Sequence, residues 1–481
     1  MELEQNAVNR TVNLNRFYSF ITAKIQAYGH ALIKPTDAAS LAVFRVLFGG
    51  LMLWEVYRYH QYNRIYYYYI EPKFYFPYEL FPFVAPLPGQ GMYLVFFVMG
   101  LAALGLALGF FYRVSAITFF LTYTYVFLID KAQYNNHYYL ISLISFLLIF
   151  VDAHRWASLD QLLRPDLRTE IIPAWHLLIL RAQVFLVYFF GGVAKLNPDW
   201  LAAEPIRTWL HNRAYYPVAG PFFDTEIGAY FFAYGGLLFD LSIGTLLLWK
   251  RTRLLAFMGV LFFNLTNKWL FSIGIFPYVM IASTILFVEA DWPRRILRRG
   301  RVVVPETPPQ KFVANKSWVI GFVTIFLALQ ILLPLRHWLY GGNVSWNEAG
   351  HRFSWHMKLR GKSADIRFFV TDPASNTTWE FDPRQNLTSR QLGKMATRPD
   401  MIIYYVHRLK EVLEANDIHN PIIQVEVWAS LNGRPYQLLI DPDYNLAEAP
   451  EPVLASYDWI LPLQTDLFAE GKYVPIEDIE D

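Results

Sequence analysis

The sequence predicts a polytopic α-helical membrane protein of about nine transmembrane helices with a C-terminal mixed α/β, β-rich domain outside the membrane. Three observations predict it. Of 481 residues, 54% are hydrophobic and only 17% charged, with a mean hydropathy of +0.23, where a soluble chain carries about 25% charge. Apolar runs of spanning length, roughly 17–25 residues, recur through the first two thirds. After about residue 335 the pattern changes to short alternating runs broken by turn residues.

The composition also excludes function classes. A net charge of +2 argues against a nucleic-acid partner, which requires a strong basic excess. The 39 Phe, 31 Tyr and 15 Trp suit a surface facing lipid. There is no cysteine, which removes disulfides, thiolate metal sites and cysteine nucleophiles together. Residues 1–37 hold no apolar stretch long enough for a cleavable signal peptide, so insertion is expected to depend on the first span.

The spans read as about 38–58, 91–109, 114–130, 138–152, 174–194, 227–249, 253–271, 273–290 and 317–334. The fourth and eighth are short, and eight spans with one re-entrant segment is the alternative. Orientation follows from the Lys/Arg bias of short loops. Placing Arg294, Arg295, Arg298, Arg299 and Arg301 in the cytoplasm puts Lys250, Arg251 and Arg253 on the same side. Arg113, Arg155, Arg164 and Arg168 then join them. The expected organisation is a cytoplasmic N-terminal segment, 1–37, a transmembrane catalytic domain, 38–334, and an extracytoplasmic (periplasmic) β-rich domain, 335–481.

Between the first two spans lies an aromatic, proline-rich loop, Tyr66-Tyr67-Tyr68-Tyr69 through Pro88. It reads either as an interfacial belt or as a lid over a site between the helices. In the C-terminal part, helical spacing of Ile403, Val406, Leu409 and Leu413 predicts a helix over 388–416. Asn432-Gly433, between two alternating runs, predicts a hairpin turn.

Ionisable groups inside spans mark functional sites by default. Asp130, Lys131 and His137, then Lys195, then Asn264 and Asn267 gather at the outer ends of helices distant in sequence. Arg45, Arg181 and Asp240 lie deeper and read as buried ties between helices. Taken alone, His137 fits an interfacial hydrogen-bonding residue and Lys195 a snorkelling lysine. Gly191-Gly192 before Lys195 would let another helix or a flat ligand approach closely, and Asp199 after it offers a pairing carboxylate. No His-Glu-x-x-His, Gly-x-Ser-x-Gly, Walker loop or dinucleotide fingerprint is present. His137, His154 and His176 fall on opposite sides of the membrane, so no metal site is expected.

At these residues the chain resembles the vitamin K-dependent γ-glutamyl carboxylases. The matching segments are Leu41-Ala-Val-Phe-Arg-Val-Leu-Phe-Gly49, Asp130-Lys131 with Asn135-Asn136-His137-Tyr-Tyr-Leu140, and Val151-Asp-Ala-His154 with Trp156-Ala-Ser-Leu-Asp160. Tyr188-Phe-Phe-Gly-Gly-Val-Ala-Lys195-Leu-Asn-Pro-Asp-Trp200 follows, then Leu270-Phe-Ser-Ile-Gly-Ile-Phe-Pro-Tyr-Val-Met280, Arg352-Phe-Ser-Trp355-His-Met357 and Val425-Glu-Val-Trp428. Their order covers nearly all of residues 38–465.

The resemblance implies that Lys195 is the base that deprotonates vitamin K hydroquinone (reduced menaquinone or phylloquinone). Oxidation by O₂ then yields a stronger base that takes the γ-proton of a glutamate in a peptide or protein substrate, and the carbanion adds CO₂. The products are γ-carboxyglutamate and vitamin K epoxide. His137 is implied in stabilising the carbanion, and Asn136, Asn264, Asn267, Trp355, Gly191 and Gly192 in holding substrate or quinone. The physics agrees: water exclusion favours a neutral amine, and lipid and quinone tail share an apolar groove. Relatives carry Phe-His where this chain has Phe263-Asn264, and animal members often carry two lysines where Ala194-Lys195 stands here. The short, cysteine-free chain looks like a bacterial member, which leaves recognition of a propeptide unsupported. The alternatives are a quinol epoxidase that does not carboxylate, and a non-enzymatic membrane binding protein of the same fold.

Overall fold

Long runs of Leu, Phe, Ile and Val bury their backbone polar groups in their own hydrogen bonds, the only open-chain solution available in lipid. The computed structural model describes residues 19–467 apart from 21, 272, 299, 301 and 451–456. Most of the expected cytoplasmic N-terminal segment, Arg299 and Arg301 of the basic cluster, Ser272 and the acidic tail lie outside the described residues.

The apolar segments form α1 (Ala39–Gln61), α2 (Gly91–Leu108), α3 (Tyr112–Leu128), α4 (Asn136–Phe150) and α5 (Trp175–Ala194). They continue as α6 (Glu226–Leu248), α7 (Arg253–Phe271), α8 (Phe276–Thr284) and α9 (Lys316–Leu335). Among the described residues, six are long and apolar enough to cross a membrane: α1, α2, α5, α6, α7 and α9. The helices α3, α4 and α8 are shorter, at 17, 15 and 9 residues. The polar ties at depth work through carbonyls as well as charge. Arg45 donates to the carbonyls of Ala153 (3.3 Å) and Ala157 (2.6 Å), and Arg181 to those of Leu286 (2.5 Å) and Val288 (3.3 Å). Opposite the C-terminal sheet, β1 (Pro35–Asp37) pairs with β2 (Ile171–Pro173). There Asp37 holds the buried Arg294 at 2.9 Å.

The helices α5 and α6 cross closely. Gly192 makes it possible: a Cβ there would meet the Leu241 side chain at 2.8 Å and its backbone nitrogen at 2.9 Å. Gly192→Ala is therefore expected to force α5 and α6 apart at a cost of about 1–3 kcal/mol, the usual size of an overpacking penalty. Thermal unfolding in detergent reads it as a lower midpoint.

Beyond α9 the chain builds an antiparallel sheet in the order β4-β3-β5-β6, from β3 (Lys362–Asp372), β4 (Thr377–Phe381), β5 (Ile422–Leu431) and β6 (Gln437–Leu438). Phe368 opposes Val425 across the central pair. Asn432 and Gly433 take the left-handed conformation the turn requires, with φ of 55° and 76°. The helix expected over 388–416 is two helices, α10 (Ser389–Met395) and α11 (Pro399–Glu414). The break has a local cause. Pro399 starts α11, and the residue before it, Arg398, is pushed to extended backbone. Met401, Ile402, Val406 and Leu409 of α11 pack on Val425 and Val427 of the sheet.

The aromatic loop after α1 is a joint between these two parts. Tyr69 is buried in the helical core and Phe76 in the core of the sheet domain, while Tyr66 and Tyr67 are exposed. The joint is tightened by charge: Asp400 at the start of α11 meets Arg352 at 2.6 Å and Lys131 at 3.4 Å. Burial would push the Asp400 carboxyl up, but Arg352 and Lys131 outweigh it and hold it down at about 2. A depressed carboxylate stabilises the fold fully above its unfolded value of 3.8, and that contribution is lost as pH falls through about 2. Acid should thus loosen the joint between about pH 4 and 2, removing ~2 kcal/mol. Hydrogen exchange of α11 across that range should follow this course in the wild type and lose the acid step in Asp400→Asn.

Candidate active site

The helix α5 stops at Ala194, and Lys195 is its capping residue. Asn197 caps the short helix Pro198–Leu201 by accepting from the Trp200 amide at 3.0 Å. The Trp200 indole in turn donates to the Ala233 carbonyl of α6 at 2.9 Å. The segment that bears the lysine is thereby fastened to α6 from both sides. The Lys195 ammonium donates to Asp240 Oδ2 at 2.6 Å and to the Gly191 carbonyl at 3.0 Å, and lies 5.2 Å from the Trp200 ring centre. Lys195 and Asp240 are both buried.

Asp240 therefore does tie helices together, as its depth suggested, but it does so through Lys195. Asp199, the carboxylate next to the lysine in sequence, is engaged elsewhere. It receives both terminal nitrogens of Arg434, at 2.6 and 2.7 Å, and the Asn432 amide at 2.7 Å. The hairpin turn of the sheet domain thus reaches down to the segment after Lys195. Lys195 is buried, and its amine has a counter-charge in contact.

Lys195 and Asp240 lie in the wall of a cavity of about 1330 Å³. Its remaining walls are largely aromatic, with Phe239, Phe263, Phe271 and Phe276 from α6, α7, the end of α7 and α8, and Trp209 from the short helix Ile206–His211. Gly235 lines it where a Cβ would meet nothing within 4 Å. Lys358 stands at the cavity, 5.4 Å from the Trp209 ring centre.

The structure brings some of the expected site residues together and separates others. Asn264 and Asn267 line the cavity. The Asn264 amide is tied to the Tyr188 hydroxyl (3.3 Å) and the Val260 carbonyl (2.9 Å). Gly191 and Gly192 do not line it. They serve close packing, with a Cβ at Gly191 3.0 Å from the Met357 methyl and 3.5 Å from Asp240 Oδ2. His137 does not line the cavity either; its ring centre lies 6.2 Å from that of Phe276, which does. Asn136 donates to the His356 carbonyl at 2.9 Å. Trp355 is fully buried, tilted against Tyr139 at 5.0 Å. No residue of the aromatic loop 66–88 lines this cavity, so the loop is not its lid.

The element that spans the gap contains the resembling segment Arg352–Met357, of which only Trp355 was singled out as a site residue. The strap 352–358 touches α4 through the Asn136–His356 contact and α5 through Met357. Phe353, Trp355 and Lys358 all hold left-handed backbone, with φ of 63°, 58° and 50°, conformations that bulky residues keep only when the surroundings impose them. His356 is buried with neither ring nitrogen hydrogen-bonded, and burial followed by His337 pushes it down to about 3. It is a neutral imidazole at physiological pH. The signal that could have found the strap was Ser354-Trp355-His356-Met357, a dense aromatic–histidine cluster in an otherwise ordinary linker.

An apolar helical bundle with a charged pair at the end of one helix and a sheet domain clasped over it defines a class. Residues 33–292 match the HTTM domain family, and residues 315–466 match the lumenal domain of vitamin K-dependent gamma-carboxylase. The chain belongs to the vitamin K-dependent γ-glutamyl carboxylase family. No solved structure matches it.

Proposed function

We propose that the protein carboxylates glutamate in a peptide or protein, using vitamin K hydroquinone, O₂ and CO₂, with Lys195 as the base that takes the quinol proton. The observation that carries this reading is the Lys195 amine held by Asp240 and the Gly191 carbonyl in the wall of a large aromatic cavity. To act as the base, the Lys195 ammonium must first give up a proton. The neutral amine would then keep two N–H donors for Asp240 and the Gly191 carbonyl, leaving its lone pair in the remaining direction. Asp240 would balance the charge when a proton is taken back. The arrangement follows the logic of a base oriented and compensated by a buried carboxylate.

The cavity fits a quinol. Its aromatic walls suit an apolar ring and tail, and Gly235 leaves room for a flat group. Reduced vitamin K, when bound, would supply through its oxidation the strong base that abstracts the glutamyl γ-proton. The chain's own contribution is to exclude water, to place Lys195 and to supply polar contacts from Asn264 and Asn267. His137 and Asn136 would act on the glutamate side, with Trp355 supporting the strap between the two. The reading further takes the chain as nine-pass, with 1–37 cytoplasmic, 38–334 in the membrane and 335–481 outside.

Purified protein given vitamin K hydroquinone, a Glu-containing peptide and labelled bicarbonate should incorporate label into the peptide while forming epoxide in step. No label above a quinol-free control would overturn carboxylation. A second reading, epoxide formation without carboxylation, is favoured by Asn264 in place of an imidazole and by the absence of His137 from the cavity lining. Epoxide with unlabelled peptide would select it.

A further inference from the structure

A second polar cavity, of about 720 Å³, lies at the opposite end of the bundle from Lys195. It is bounded by the last residue of α4 (Phe150), the first turn of α5 (Trp175, His176) and the first turn of α9 (Trp318, Val319). Three helix ends at one level mark a membrane boundary. The aromatic cluster agrees, with Trp318 lying 6.1 Å from Phe150 and 6.0 Å from Trp175, as indoles do at headgroup depth.

The charge in this cavity is unbalanced. Arg113, Arg155 and Lys311 line it against one carboxylate, Asp152. Arg113 binds that carboxylate at 2.5 Å, while Arg155 approaches it only to 3.7 Å. The buried Arg155 Nε has no hydrogen bond. His176 accepts the Asp152 amide on Nδ1 at 3.3 Å, which leaves the proton on Nε2. The cavity thus offers several donors and two positive charges in excess of its acid. From its edge, the exposed side chains of Trp318, Ile325 and Leu329 run up one face of α9.

We infer that this cavity binds the phosphate of an anionic glycerophospholipid, with Arg155 and Lys311 on the headgroup and an acyl chain along the exposed face of α9. A phosphate brings the charge the site lacks, and the apolar ridge gives a chain somewhere to lie, which a free ion does not need. Anionic lipid is also attracted to basic clusters on this face. The site is remote from Lys195 and stands independently of the proposed reaction.

The test uses the full chain, delipidated in detergent and then titrated with phosphatidylglycerol, phosphatidylcholine or inorganic phosphate, with bound lipid counted by native mass spectrometry. Phosphatidylglycerol should be retained about tenfold over phosphatidylcholine, and Arg155→Gln and Lys311→Gln should each weaken retention about fivefold. Lys311 is exposed, so its variant reports on binding without disturbing the fold. Equal retention of the two lipids, or retention unaffected by Lys311→Gln, would overturn the site. Displacement of the lipid by equimolar inorganic phosphate would reassign it to a free anion and overturn the lipid.

Discussion

Lys195→Arg is expected to abolish quinol oxidation, lowering it by roughly 10²–10⁴-fold, the range a positioned general base contributes. Arginine keeps a positive charge opposite Asp240 at 2.6 Å and so keeps the pairing of α5 with α6. It cannot be deprotonated in a protein, so it cannot be the base. Lys195→Ala should be as inactive, but for two reasons at once, since it also leaves Asp240 buried without a partner. Comparing unfolding midpoints separates them: the alanine variant should lose stability and the arginine variant should stay near the wild type.

Asp240→Asn carries the other large effect. Removing one member of a buried ion pair leaves the remaining charge uncompensated, typically at 3–5 kcal/mol. Both members here are buried, and among the described residues no other carboxylate pairs with the Lys195 ammonium. The single variants Asp240→Asn and Lys195→Ala should each show this loss in detergent denaturation. The double variant should recover most of it, because neither charge remains. Activity should not recover. A neutral asparagine can still accept a hydrogen bond from the amine, so any turnover left in Asp240→Asn should follow a displaced pH profile.

The sequence carried the helices well because their signal is one-dimensional: a run of twenty apolar residues has few alternatives. The divided helix at Pro399 shows the limit. Its apolar spacing continues across the break, and only the proline, with the residue before it, shows where the chain must stop. At the site, the lysine was legible from its motif and its position at a helix end. Its partner was not. Asp199 is four residues away and Asp240 forty-five, and the nearer acid lost because Arg434, more than two hundred residues on, claims it. Nothing local to the lysine encodes that arginine. The relation of His137 to Lys195 was half legible: topology gives depth, and both lie at the same end of the bundle. Depth does not give lateral position, and whether His137 reaches the cavity lining, which it does not, depends on how α4, α5 and α8 pack.

Sequence also gave the glycines a double reading, and packing decided it. Gly191 and Gly192 admit α6, with Leu241 and Asp240 filling the space a ligand would have needed. The room for a flat ring lies instead across the cavity at Gly235, in a segment with no motif to single it out.

The most direct test of Lys195 as the quinol's base is vitamin K epoxide formed per unit time by wild type and Lys195→Arg, at matched folded fraction. The wild type should form epoxide, and the arginine variant at least about a hundredfold less. An arginine variant that forms epoxide at the wild-type rate would contradict that role for Lys195.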